Sequence, residues 1–152
     1  MRFTLLAALG LLLAAPAAYA QDYTADATYG EPYLEEGFTP DPQSISLTAG
    51  GGIRVNKSGC SYGYVANAPD VKLHYDTSGG SNLYIYAVAD RDVTLLINTP
   101  SGRWVCNDDS FGNGDPILVF PGAEGGRYDI WVGTYGSDTA PARLYITEID
   151  PR

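Results

Sequence analysis

Residues Leu83–Gly102 read LYIYAVADRDVTLLINTPSG. Two short runs, Leu83–Val88 and Thr94–Ile97, are rich in branched and aromatic side chains, the types that suit a pleated, half-buried surface. Gly79-Gly80 precedes the first run and Asp90 follows it, while Asn98-Thr99-Pro100-Ser101-Gly102 closes the second as a strong turn. The pattern continues on both sides. Ser44–Thr48 and Val71–Tyr75 alternate, Trp104–Cys106 is a short strand, Ile117–Phe120 follows Pro116, and Tyr128–Val132 and Leu144–Ile149 close the series. Short strands recurring every ~8–12 residues with turn chemistry between them indicate a sandwich or barrel. The 18 glycines agree, because tight turns between strands need positive φ. No stretch beyond the first twenty residues offers an amphipathic helix free of Gly or Pro.

The chain opens differently. Arg2 and the apolar run FTLLAALGLLLAA (Phe3–Ala15) precede Ala18-Tyr19-Ala20, the small-x-small pattern of a signal-peptidase site. The run is shorter than the ~20 residues that a membrane span needs. The expected division is residues 1–20 as a signal peptide, 21–43 as an acidic, Pro-containing arm, and 44–152 as the β domain. Tyr33, Leu34 and Phe38 are the arm residues suited to docking on that domain. The formal net charge is −9, and loss of Arg2 makes the mature chain more acidic. That balance disfavours nucleic acid and anionic membrane surfaces as partners, since both need clustered Lys and Arg. Nothing after Ala20 is apolar enough to span a membrane as a helix, so export to the periplasm or the medium is expected. In that oxidising setting Cys60 and Cys106, the two cysteines, are expected to pair.

Three sets of residues carry the candidate chemistry. Asn107-Asp108-Asp109-Ser110, followed by Gly112-Asn113-Gly114-Asp115, offers carboxylates and amide oxygens in one glycine-bearing loop. Hard cations such as Ca²⁺ take six to eight oxygens in flexible loops, so Asn107, Asp108, Asp109 and Asp115 form a candidate calcium site. An Asx-rich turn that bonds its own backbone is the alternative. The second set is aromatic. Alternation puts Tyr84 and Tyr86 on one strand face, opposite Leu83, Ile85 and Ala87, and puts Trp131 with Asp129, opposite Tyr128, Ile130 and Val132. Tyr84, Tyr86 and Trp131 are therefore candidates for an exposed ligand surface. The third is the single histidine, His74. It alternates with Lys72 away from Val71, Leu73 and Tyr75, and reads as solvent-facing. With this one histidine on an outward face, no catalytic triad is recognisable.

The stretches GFTPDP (Gly37–Pro42), GYVANAPD (Gly63–Asp70), TLLINTPSGRWVCNDDS (Thr94–Ser110), GRYDIWVGTY (Gly126–Tyr135) and LYITE (Leu144–Glu148) together resemble a group of small exported bacterial proteins related to pre-peptidase C-terminal domains. The resemblance spans Tyr29 to Glu148. It implies an all-β fold, a single jelly-roll-like antiparallel β-sandwich. It also implies an accessory role. Domains of that kind accompany secreted peptidases, some bind calcium, and some adhere to collagen or polysaccharide. Isolated copies are often labelled serine peptidases. The expected function is an exported, non-catalytic binding or accessory domain, calcium-stabilised, with a polysaccharide, a protein or a secreted peptidase as partner. A secreted peptidase and a structural envelope protein are the alternatives.

Overall fold

The computed structural model describes residues 21–152, so the expected leader lies outside the described residues. Eleven strands form two sheets. In chain order they are β1 (Tyr33–Glu35), β2 (Gln43–Ala49), β3 (Ile53–Arg54), β4 (Tyr64–Val65), β5 (Val71–Asp76), β6 (Leu83–Ala89), β7 (Val93–Asn98), β8 (Trp104–Asn107), β9 (Ile117–Phe120), β10 (Gly126–Thr134) and β11 (Ala140–Thr147). The smaller sheet runs β2-β11-β6-β9. In the larger one β10 is central. It pairs with β7 along one edge, and β7 pairs in turn with β8. Along its other edge it meets first β5 and then β4, which carry β1 and β3 outside them. The chain is thus an all-β sandwich of two sheets.

Alternation decides what fills the space between the sheets. Val71, Leu73 and Tyr75 of β5, Leu95 and Ile97 of β7, and Tyr128, Ile130 and Val132 of β10 point inward. They meet Leu83, Ile85 and Ala87 of β6, Leu144 and Ile146 of β11, and Leu47 of β2. Burying side chains of this size contributes about 1.5–3 kcal/mol each, so the core supplies most of the drive to fold.

Several expectations shift in detail. The closing strand starts earlier than expected, at Ala140, and includes Pro141. Proline fits there because Pro141 faces only Thr48 of β2, and pairing with β6 starts at Ala142. Within the arm, Tyr33–Glu35 pairs in parallel with His74–Asp76, so one strand pair departs from the antiparallel pattern. Leu34 and Phe38 dock on the core, whereas Tyr33 stays outside. Two carboxylates pin this segment. Glu36 accepts hydrogen bonds from Thr77, Ser78 and Ser81, which hold its carboxyl at about 2, the Ser81 hydroxyl contributing most. Glu148 accepts the Gly37 N–H at 2.8 Å and the Tyr75 hydroxyl.

The edge of β10 changes partner from β5 to β4, and a gap opens between them. Asp70 fills it. Its Oδ2 accepts the Val132 N–H at 2.7 Å, and its own N–H donates to the Ile130 carbonyl. A side chain thereby replaces a missing strand partner, at the cost of burying a carboxyl. Burial pushes that group up to about 7. Close contact between β4 and β10 also requires Gly133. A Cβ there would lie 2.5 Å from Thr94 Oγ1 and 2.8 Å from the Tyr64 carbonyl oxygen.

Candidate functional site

Both faces of the larger sheet are covered. Its outer face carries side chains in rows across the strands, because residues paired in register share a face. One row is apolar: Trp131 of β10, Leu96 of β7 and Cys106 of β8. Val55, Cys60 and Val65 close over it. The Cys60–Cys106 disulfide, with Cα atoms 5.9 Å apart, ties the covering loop to β8. Trp131 is therefore fully buried, and its place on an exposed ligand surface is corrected. Alternation read its direction rightly, but a loop stapled from elsewhere in the chain covers that side.

The next two rows are polar. One aligns Trp104, Asn98, Asp129 and Lys72 across β8, β7, β10 and β5. The other aligns Arg127 of β10, His74 of β5 and Tyr33 of β1. The N-terminal arm crosses over them. Its Tyr23 ring stands edge-on to Trp104 with centroids 6.5 Å apart, and main-chain bonds from Lys72 N–H to the Gly30 carbonyl and from His74 N–H to the Pro32 carbonyl then lay it along the β5 edge. This cover corrects the solvent-facing reading of the row. Lys72 is only 5% exposed, and His74 lies under the Tyr33 ring, with centroids 4.2 Å apart and planes nearly parallel. Glu31 Oε2 stands 3.5 Å from His74 Nε2. Among the described residues no serine hydroxyl bonds His74, so no nucleophile–base pair forms around it.

Arg127 and Asp129 dominate the polar rows. Their side chains meet through Nε–Oδ1 at 2.9 Å and Nη2–Oδ2 at 3.2 Å. Asp129 is 2% exposed. Burial raises its carboxyl pKa, against the lowering pull of Arg127, Lys72 and His74. The Nε contact is an ion pair off the hydrogen-bond axis, so Oδ1 lacks a satisfied hydrogen bond. Arg127 Nη2 also donates to the Tyr23 carbonyl at 3.3 Å.

Two grooves meet at Arg127. The first, about 570 Å³, has walls that include Tyr23, Asn98, Trp104, Arg127 and Asp129. The second, about 440 Å³, lies between Tyr33, His74, Glu35, Asp76 and Arg127. Both include Gly125 and Gly126. Gly126 has φ +134°, and a Cβ there would lie 2.8 Å from the Pro100 Cβ, so the junction requires glycine. Aromatic rings stand at each end. Tyr33 is 75% exposed and Tyr23 46% exposed. Trp104 is half-buried between Trp131 at 5.3 Å and Lys57, whose Nζ stands 4.3 Å from the ring centroid.

The aromatic surface expected on the smaller sheet is already occupied. Tyr84 is buried, which corrects its assignment to an exposed surface. The Arg152 guanidinium sits 5.9 Å over its ring. Tyr86 is enclosed between Tyr145, stacked at 4.8 Å, and Phe111, also at 4.8 Å.

In the acidic loop, Asn107 Oδ1 accepts the N–H groups of Ser110 and Ile117, and its Nδ2 donates to Ser110 Oγ. This oxygen is committed to the turn. Phe111 and Asp115 pair through two main-chain bonds, and burial raises the Asp115 carboxyl pKa. Asp108 and Asp109 lie near enough to Asp92 for their charges to act on it. Burial, then these two negative charges, raise the pKa of Asp92. Among the described residues, no three His, Cys, Asp or Glu side chains converge as a ready metal-binding group. None of the described residues forms a helix long and apolar enough to cross a membrane.

No protein-family model matches the chain, and no curated protein matches it. Among solved structures, the chain is similar to the pre-peptidase C-terminal domain of a collagenase from Bacillus anthracis. The two are 12% identical, with 81% of this chain and 100% of that one covered and a TM-score of 0.47. It is also similar to a periplasmic inhibitor of g-type lysozyme from Aeromonas hydrophila. That pair is 14% identical, with 78% and 96% covered and a TM-score of 0.40.

Proposed function

We propose that the chain is exported by cleavage after Ala20 and acts as a non-catalytic binding domain, with the paired grooves at Arg127 as its ligand site and a polysaccharide as its ligand. The observation that carries this reading is the meeting of exposed aromatic rings with a buried, incompletely bonded Arg127–Asp129 pair. A sugar ring has apolar C–H faces that suit Tyr33 and Tyr23, and hydroxyls that both donate and accept. Arg127 supplies donors, while Glu35 and Asp76 supply acceptors. An open trough with rings at both ends suits a polymer rather than a small molecule.

Retention of the pure protein on insoluble cellulose, chitin and peptidoglycan tests this reading, with collagen as the protein matrix. Retention on a glycan, lost in Tyr33→Ala and in Arg127→Ala, is the expected result. Retention on collagen alone moves the assignment to a protein ligand. Retention unchanged by both substitutions removes the groove from the function.

Calcium stabilisation is a second, separate proposal. The charges of Asp108 and Asp109 add to burial in raising the Asp92 pKa, and a divalent cation relieves such repulsion. The side chains have to draw together to bind, which suits the weak affinities of extracellular modules. Melting at millimolar calcium and then in excess chelator is the test. A calcium-dependent rise that Asp108→Asn/Asp109→Asn removes is expected, and coincident melts end the proposal.

A further inference from the structure

We infer that Gln21, the residue left at the chain start by cleavage after Ala20, cyclises to a pyroglutamyl end, and that this uncharged ring is the form the domain buries. The inference rests on the export reading above. Gln21 opens a polar stretch, QDYTADATYG, yet is only 5% exposed. Its side-chain Nε2 is buried and has no hydrogen-bond partner among the described residues.

The residues after it are fastened down. The Asp22 N–H donates to the Asn67 carbonyl at 2.8 Å, and Asp22 Oδ1 accepts the Thr24 N–H at 2.9 Å and the Thr24 hydroxyl at 2.6 Å. The Tyr23 carbonyl accepts from Arg127. The arm is thereby held in place directly after Gln21. Cleavage at this point creates an α-ammonium next to a segment anchored on the cationic side chain of Arg127. A buried ammonium without a carboxylate partner is strongly unfavourable.

Cyclisation removes both problems in one step. The neutral α-amine attacks its own side-chain carbonyl carbon, a new C–N bond closes a five-membered lactam, and the Cδ–Nε2 bond breaks. The nitrogen leaves as ammonia, taking a proton from the attacking amine. No oxidant or co-reactant is needed. The departing atom is the one that the fold leaves unbonded, and the charge that burial penalises disappears with it. The ring closes before the arm docks, while the new terminus is still free.

The test starts from the full-length chain, exported by a bacterial host and then held at neutral pH until its mass stops changing. Intact mass and fragmentation are expected to show residues 21–152 with one disulfide, lighter by one ammonia. Stepwise degradation from the N-terminus is expected to be blocked until a pyroglutamyl aminopeptidase acts on the unfolded protein. A free Gln21 amine at that endpoint overturns the inference while leaving the cleavage reading intact. A different first residue overturns both. The second measurement compares the chain from Gln21 with a free amine against the same chain treated with glutaminyl cyclase while unfolded and then refolded. The cyclised form is expected to melt several degrees higher, and equal melting temperatures overturn the proposed role in burial.

Discussion

Replacing Asp70 with asparagine is expected to stabilise the protein at pH 8 and to leave it nearly unchanged at pH 4. The carboxyl titrates near 3.8 as a free group and at about 7 in the fold. A shift of about 3 pKa units, at ~1.4 kcal/mol per unit, corresponds to roughly 4 kcal/mol between the two protonation states. The folded pKa is raised, so between these values the unfolded chain has released the proton while the native state still holds it. Stability therefore falls as pH rises from about 4 to about 7, then levels off. Asparagine keeps an oxygen that accepts the Val132 N–H and cannot ionise. The wild type should lose up to about 4 kcal/mol over that window relative to Asp70→Asn, a difference that cancels the other titrating groups. Urea unfolding of both proteins at pH 4, 6 and 8 measures it. A variant less stable than wild type at pH 8, or a gap that does not change with pH, would refute the account of Asp70 as a buried acid bridging two strands.

Other substitutions test the remaining architecture. Cys60→Ala/Cys106→Ala releases a constraint across a separation of 46 residues, and is expected to lower unfolding free energy by up to about 4 kcal/mol in urea titrations. Trp131→Ala should cost about 3–5 kcal/mol of stability as a core truncation, whereas Tyr33→Ala should leave the urea midpoint within error and change only ligand retention. Gly133→Ala forces β4 away from β10, and is expected to lower stability by about 1–3 kcal/mol; an unchanged melt would mean that the strands separate freely there.

Much of the strand pattern was legible because strand and turn chemistry are local. Ile117–Phe120 begins and ends where the residues indicated, and Val71–Tyr75 runs on by one residue, to Asp76. The inward faces of β5, β6 and β10 also follow from alternation. The grooves were not legible. Tyr23 and Tyr33 sit in an arm with little periodicity, and nothing local indicates that this arm crosses rows formed by β5 and β10. Asp129 reads as an ordinary outward residue until Arg127 and the arm enclose it. The one available hint was that Asp129 and Trp131, on the same strand face, interrupt an otherwise wet pattern with a large aromatic.

Taken alone, the order of residues determined the all-β class and most strand positions, since each depends on side-chain type and spacing along a short segment, and the pairing of the two cysteines, which followed from their count and the expected oxidising compartment. The tertiary structure decided which faces stay exposed. Alternation assigns a side chain to a face, but whether that face meets water depends on chain far away in sequence. The disulfide-tied loop over Trp131, the arm over Lys72 and His74, and the neighbours around Tyr84 and Tyr86 all come from distant segments. They take Trp131 and Tyr84 off the candidate ligand surface and leave the grooves beside Arg127.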